Sequence, residues 1–162
     1  MTTDQALTGA ALHAWTQHIE RADKFFAGLS ETQLLAQVAP GRNRLIYLWG
    51  HLTAVHDAML PLLDLGPRQY PDLEALFLSG ADDPSATYPP VADIQTRWRD
   101  VNARLRAGFE AFTADDWTAK HTAVSAADFA ANPLRNRFAV LLSRTAHVQY
   151  HYGQAVLAGQ KR

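Results

Sequence analysis

The 162-residue sequence contains no cysteine, and this absence excludes several kinds of chemistry. Disulfide bonds, cysteine-ligated zinc fingers, iron–sulfur clusters and a thiol nucleophile on the chain itself are all ruled out. No uninterrupted apolar run approaches the roughly 20 residues that a membrane-spanning helix requires. Residues 1–10 lack the basic flank and apolar stretch of a secretory signal, so a cytoplasmic location is expected.

A strong excess of charge is also missing. Fifteen basic and sixteen acidic residues give a net charge of -1, which argues against nucleic acid or an anionic membrane as a partner. The sequence has no glycine-rich phosphate loop, no G-x-S-x-G elbow and no H-E-x-x-H segment. A small-molecule substrate is therefore the expected partner.

Strand patterns are absent as well, since no segment alternates with period two and no Asn-Gly or Asp-Gly hairpin signal occurs. Hydrophobic residues make up 48% of the chain, which is enough to build a core at this length. Four segments instead carry apolar residues at helical spacing. Their stripes are Leu12, Trp15, Ile19, Ala22 and Phe26; Leu45, Leu48, Leu52, Val55 and Met59; Val91, Ile94, Trp98, Val101, Leu105 and Phe112; and Phe138, Leu141, Val148, Tyr152 and Val156.

Helix boundaries are signalled by small polar residues and by proline. Ser30 opens a capping box, and Asn43, Thr113 and Ser125 are further candidate N-caps. Pro61 should end or kink the second long helix, because its ring opposes the carbonyl four residues back. The fourth long helix is predicted from about Leu134 to Ala158.

Residues 65–90 hold five of the eight prolines and form a long connection, with one short helix predicted around Asp72–Leu78. Such a connection is either functional in itself or the crossover that joins non-adjacent helices of a bundle. The predicted architecture is all-α, a four-helix bundle with one long crossover connection. We expect residues 1–162 to form a single domain of this kind.

The segment His147-Val148-Gln149-Tyr150-His151 places two imidazoles four residues apart on the last helix. This spacing puts both rings on one face, where they can reach the same divalent ion. The alternative is an ordinary pair of polar surface residues. The line of Arg144, His147, His151 and Gln154 runs beside an apolar stripe, and polar groups in such a place usually have defined partners.

A third histidine, His51, lies in the middle of the second long helix between Leu48 and Leu52. Alone, it would more often be a hydrogen-bonded core residue. Three histidines with an open fourth position are, however, how catalytic zinc sites are built. Five residues rotate a helix by about 140°, so His13 cannot share a face with His18, nor His51 with His56, and His121 lies in an irregular segment. Four histidines are therefore interpreted as surface residues, the alternative being that one of them supports the metal ligands: His13, His18, His56 and His121.

Two of these segments resemble the metal-binding helices of the DinB-like (YfiT-like) metal-dependent superfamily. Leu48-Trp49-Gly50-His51-Leu52 is similar to its first metal-binding helix, and His147-Val148-Gln149-Tyr150-His151-Tyr152-Gly153-Gln154 has the H-x-x-x-H-x-G-Q pattern of its last helix. The helix order also matches, so the resemblance covers nearly the whole chain. It implies a four-helix bundle, often dimeric, with a divalent metal held by His51, His147 and His151.

The resemblance implies more than one function. Members of this superfamily include transferases and isomerases that use low-molecular-weight thiols, as well as hydrolases. Because the chain has no cysteine, a thiol would have to come from an external cofactor. A metal-dependent, thiol-dependent S-transferase is the leading hypothesis, on analogy. A metal-dependent hydrolase or a non-catalytic metal- or ligand-binding bundle is the alternative, and zinc or nickel is the expected ion.

Other polar residues near the three histidines each have two interpretations. Arg144 either holds a substrate carboxylate or is a solvated helix-surface residue. Tyr47 and Tyr150 either donate a hydrogen bond to a bound group or simply pack. Gln154 either orients His151 or contacts a bound cofactor. Neither ligand helix carries a glutamate, which argues against a ferritin-like di-iron site.

Overall fold

Eight α-helices make up the computed structural model, which describes residues 2–159. Four are long: α1 (Thr3–Ala27), α3 (Leu45–Leu62), α5 (Val91–Ala111) and α8 (Arg137–Gly159). Four are short: α2 (Glu31–Leu34), α4 (Leu73–Phe77), α6 (Ala114–Thr118) and α7 (Ala126–Ala131). Residues 2–159 contain no strand, and none of their helices is long and apolar enough to cross a membrane. The all-α prediction is confirmed.

Side-chain caps begin several helices where the sequence predicts them. Ser30 and Thr113 form capping boxes, and the Ser125 hydroxyl accepts from the backbone of Asp128. The assignment of Asn43 is wrong: Arg44 is the N-cap of α3, and Asn43 Oδ1 accepts from the backbone of Asp82. Helix α8 begins at Arg137, later than predicted, because the Asn136 side chain accepts from the Ala139 amide just inside its first turn.

The four long helices pack in the cyclic order α1, α5, α3, α8. Helices α3 and α5 are parallel: the Tyr47 and Tyr88 rings meet near their N-terminal ends, and at the other end Gly108, in the last turn of α5, packs on Leu65, which follows α3. Helix α1 is antiparallel to α3, since Trp15 packs on His56 whereas Phe26 stacks on Trp49. The connection between α3 and α5 must therefore return along the bundle, as the predicted crossover requires.

This crossover is held at both ends by buried carboxylates. Near its start, Asp57 accepts from the backbone amides of Gln69 at 2.7 Å and Tyr70 at 3.2 Å. Near its end, Asp82 accepts from the Arg44 guanidinium at 2.8 Å and from the Tyr88 hydroxyl at 2.6 Å. A connection with fixed ends can hold α4 in one position against α3, and this matters for the site described below.

The surface interpretation of His56 is wrong. Its side chain is fully buried between the rings of Trp15 and Trp98, and its Nδ1 lies 2.9 Å from Asn102 Oδ1. The argument from the 140° rotation failed because α3 is covered on most of its circumference, with thirteen of its 18 residues buried. The other three histidines predicted at the surface are less buried than His56: His13 is exposed, and His18 and His121 are partly buried.

Burial lowers the pKa of His56 to about 3, although the hydrogen bond to Asn102 opposes this shift. The unfolded chain binds a proton at this residue below about pH 6.5, whereas the folded chain does so only near pH 3. His56 therefore contributes stability that is complete above pH 6.5 and is lost as the pH falls towards 3. We expect a loss of about 2 kcal/mol between pH 7 and pH 5, measured by urea unfolding of metal-free protein.

The variant His56→Gln separates this effect from other titrations. The glutamine amide keeps a donor for Asn102 but does not titrate, so the free energy of unfolding should depend less on pH. The matched control is His13→Gln, which changes an exposed histidine and should keep the wild-type slope. If the free energy of unfolding depends on pH equally in wild type and in His56→Gln, this pH dependence does not come from His56.

Candidate metal centre

Three imidazoles from two antiparallel helices converge on one point. His51 comes from the middle of α3, and His147 and His151 come from successive turns of α8. Nε2 of His147 lies 3.4 Å from Nε2 of His51 and 3.1 Å from Nε2 of His151. The i, i+4 spacing supplies two of the rings, and the packing of α3 against α8 brings the third to them.

Each of two rings has its second nitrogen fixed by a hydrogen bond. Nδ1 of His51 donates to the carbonyl of Phe77 at 2.8 Å, and Nδ1 of His151 donates to Oε1 of Gln154 at 2.9 Å. Because these oxygens only accept, each Nδ1 carries the proton and each Nε2 presents a lone pair. Such outer hydrogen bonds set the tautomer and the orientation of metal-ligating histidines.

The carbonyl that holds His51 is available because α4 ends at Phe77. The last carbonyls of a helix have no partner within the helix. Phe77 comes close to α3 only because residue 50 is glycine: a Cβ there would lie 2.2 Å from the Phe77 ring. Because residue 50 has no side chain, the Phe77 ring can pack against α3. This packing places the backbone carbonyl of Phe77 beside His51.

The donor set fits a divalent cation. If His51 and His151 both present lone pairs, a proton on His147 Nε2 can satisfy only one of them. A cation would satisfy all three nitrogens together. Ligands at 2.0–2.1 Å from a tetrahedral ion lie about 3.3 Å from one another, close to the spacings between the described rings. The three-histidine group contains no carboxylate.

Their surroundings favour the neutral form of His147 and of His151. Burial, followed by the neighbouring His151, His51 and Arg144, lowers the pKa of His147 to about 4. Burial also lowers the pKa of His151, and the hydrogen bond that its Nδ1 donates to Gln154 partly opposes this shift. Neutral imidazole is the form that ligates metals. At neutral pH, His147 and His151 can therefore bind an ion without first losing a proton.

The remaining candidates occupy different positions. The Tyr47 hydroxyl is buried and donates to backbone carbonyls at the end of α4, including that of Gly80, so this side chain packs and is not free to serve a bound group. Gln154 holds His151, as one of its two interpretations predicts. Tyr150 is exposed. Arg144 is partly buried, with its Nε shielded from solvent, so it is not a solvated surface residue.

A cavity of about 690 Å³ opens beside His151. Its walls come from α8, from α3 and from the loops on either side of α3, and they include Tyr150, Gln154, Leu48 and Arg42. Its size suits a small organic molecule. His151 therefore lies at the edge of a space large enough for a small substrate.

Sequence reasoning missed Gly50, Phe77 and Arg42 as parts of this site. A glycine inside an apolar helical stripe was a usable signal, because glycine costs helix stability and is usually retained for close packing. Nothing in the sequence pointed to the Phe77 carbonyl, since every residue type carries one. Arg42 lies in the turn before α3, whose position depends on the tertiary fold.

A sequence model described as the DinB superfamily matches residues 14–155, which is most of the chain and includes both ligand helices. No curated protein matches the chain closely enough to be named as a relative. The family match agrees with the resemblance found in the two histidine segments.

Proposed function

The chain belongs to the DinB superfamily, and from this premise we propose that it is an enzyme that depends on a divalent metal ion held by His51, His147 and His151. The observation that carries the proposal is the convergence of three imidazoles, one of which, His151, lines an open cavity. Three protein ligands leave a coordination position for a substrate, whereas a structural site is usually closed by four. A family with metal-binding members supports the same conclusion.

Zinc or nickel is the proposed ion, because imidazole suits both and the site offers neither thiolate nor carboxylate. Bound by neutral ligands only, such an ion retains its full positive charge and lowers the pKa of a coordinated water or thiol towards neutrality. The chain's own residues hold the ligand geometry: Phe77 and Gln154 fix the Nδ1 protons, and Leu48 presents an apolar wall to the cavity.

The reaction that we favour is transfer of a low-molecular-weight thiol to an electrophilic substrate. The new bond joins the sulfur to carbon, the leaving group departs with its electron pair, and the thiol proton passes to solvent. The thiol is external, because the chain has no cysteine. The choice of thiol transfer over hydrolysis rests on the thiol-using members of the family.

Metal analysis of protein purified without a histidine tag tests the central claim. We expect about one zinc or nickel ion per chain, removable by chelators and restored by titration with Zn²⁺ or Ni²⁺. Protein that contains no ion and binds none under these conditions would overturn the proposal.

Activity assays separate the reaction classes. Metal-loaded protein is incubated with 1-chloro-2,4-dinitrobenzene and a thiol such as glutathione, and separately with p-nitrophenyl acetate. Metal-dependent turnover of the first substrate supports thiol transfer, whereas turnover of the ester alone indicates a hydrolase. Tight metal binding with no turnover of either would favour the non-catalytic alternative.

A homodimer is also proposed, with α8 at its interface. Five exposed residues without charge follow one another along this helix at spacings of 4, 4, 3 and 4, which places them on one face. We call them the outer face of α8: Leu142, Ala146, Tyr150, Gly153 and Leu157. A Cβ on Gly153 would meet no neighbouring atom, so the helix backbone is open to approach by a second helix.

Light scattering at micromolar concentration should give twice the chain mass of 17.9 kDa. The double variant Leu142→Glu, Leu157→Glu should be monomeric, because two carboxylates would be buried in the interface. Leu35→Glu alters a comparably exposed leucine away from α8 and should leave the dimer intact. A monomeric wild type would contradict the proposal.

A further inference from the structure

A second cavity, of about 450 Å³, lies between the end of α3, the segment that leads into α8, and the first turns of α8. Its apolar floor includes Leu62 and Val140, and its polar groups are His121, Arg135, Asn136, Ser143 and Arg144. We propose that this cavity, here called the anion pocket, binds the carboxylate or phosphate group of the substrate. The proposal extends the function proposed above and rests on it for the identity of the ligand as substrate.

Arg144 is the central group of the anion pocket. It is partly buried, and within residues 2–159 no carboxylate lies within ion-pairing distance of it. Its Nε is shielded from solvent and has no hydrogen-bond partner. Arg137, two turns earlier on the same helix, differs because it has Asp64 and Asp116 each at 3.7 Å. A partly buried arginine with a shielded Nε and no carboxylate in reach is a group that an incoming oxyanion can satisfy.

Two further donors face the same space. Among the residues that the structure describes, Arg135 pairs only with Asp128, at 4.0 Å, so its guanidinium is loosely held. Nδ1 of His121 is shielded and has no hydrogen-bond partner, and burial together with Arg135 and Lys120 lowers the pKa of this ring. Guanidinium groups bind carboxylate and phosphate oxygens through paired hydrogen bonds, and a neutral imidazole adds one more donor.

The chain segment around the anion pocket carries an excess of positive charge. Residues 119–147 contain four permanent cations and one carboxylate, Asp128, although the whole chain is nearly neutral. Two of these cations are less available, since the Lys120 ammonium donates to the Val124 carbonyl and Arg137 lies 3.7 Å from both Asp64 and Asp116. An excess of positive charge around a partly apolar cavity raises the local concentration of anions.

The position of the anion pocket relates it to the three histidines. Arg144 precedes His147 by three residues, a rise of about 4.5 Å along α8, and the two side chains project from the same side. The pocket extends from there towards Leu62 and Val140, whereas the cavity beside His151 opens in the other direction. A substrate with its acidic group at Arg144 would thus lie about one helical turn from His147.

Anion binding is measured on metal-free protein, so that it does not depend on the metal centre. Inorganic phosphate and succinate are titrated separately, at constant ionic strength, and amide shifts of residues 119–147 are followed by NMR. We expect saturable shifts with at least one of them. The stronger of the two identifies the headgroup as phosphate or carboxylate.

The variant Arg144→Gln should weaken this binding at least tenfold, and Arg135→Gln should weaken it less. Arg106→Gln is the matched control, because Arg106 lies on α5 and pairs with Glu110. The absence of saturation in wild type, or equal weakening by Arg144→Gln and Arg106→Gln, would overturn the anion pocket. Arg144→Gln should still bind Zn²⁺. Zn²⁺ titration therefore tests the metal centre, and anion titration tests the anion pocket independently of it.

Discussion

Replacement of His147 by alanine is expected to abolish binding of the divalent ion and to leave the helical bundle folded. His147 is the ring that approaches both of the others, so its loss leaves two ligands on different helices. We expect metal affinity to fall by at least a thousandfold, measured by titration with Zn²⁺. Circular dichroism should show unchanged helix content, because the core of α1, α3, α5 and α8 does not include the ion.

Thermal melts of wild type and His147→Ala distinguish a catalytic ion from a structural one. Metal should stabilise the wild type by about 2.7 kcal/mol at a hundredfold excess over the dissociation constant, and should not stabilise the variant. His13→Ala is the control, since His13 is exposed. Gln154→Ala should retain the site with an affinity about 10–100-fold lower, because it orients His151 without touching the ion. Loss of helical signal when the wild type is treated with chelator would instead identify a structural metal.

Substitution of Gly50 by alanine is expected to damage both stability and metal binding. The added Cβ would lie 2.2 Å from the fully buried Phe77 ring, so the ring and the end of α4 must move. Overpacking of this kind costs about 1–3 kcal/mol and higher helix propensity gains about 1 kcal/mol, so we expect a net loss of up to about 2 kcal/mol. The Phe77 carbonyl moves with its ring, so His51 loses its partner and metal affinity should fall about 10–100-fold.

Gly9→Ala is the matched control for Gly50→Ala. Gly9 is also inside a long helix, but a Cβ there would meet nothing within 4 Å. This variant should be stabilised by up to about 1 kcal/mol, with unchanged metal affinity. Urea unfolding and Zn²⁺ titration of both variants provide the test. A Gly50→Ala protein with wild-type affinity would show that the Phe77 carbonyl does not govern the orientation of His51.

Local sequence signals were sufficient for the helices and for the pairing of His147 with His151, because both depend on spacing along one helix. The short helix α4 was predicted from Asp72–Leu78 and is found at Leu73–Phe77. The convergence of His51 with the α8 pair needed the additional information of helix order. That order follows from the length of the crossover, together with the resemblance of two segments to a known family.

The errors have a common cause in tertiary packing. His56 was placed at the surface because the sequence does not reveal how many neighbours cover α3. Asn43 was taken as a cap because it is a favoured residue type, but its side chain is used by the crossover at Asp82. The cationic character of the anion pocket was likewise invisible, since Arg135 and Arg144 come together with His121 only in the fold.

The partner of His51 is a backbone carbonyl, and this determines where natural variation can be tolerated. Any residue at position 77 that fills the same volume supplies the same oxygen, so the orienting contact survives changes of side chain there. Position 50 is different, because a residue larger than glycine displaces the segment that carries the oxygen. In a comparison of descendants of this sequence, the requirement to orient His51 would therefore appear as an unchanged glycine at position 50, although this residue does not contact the ion.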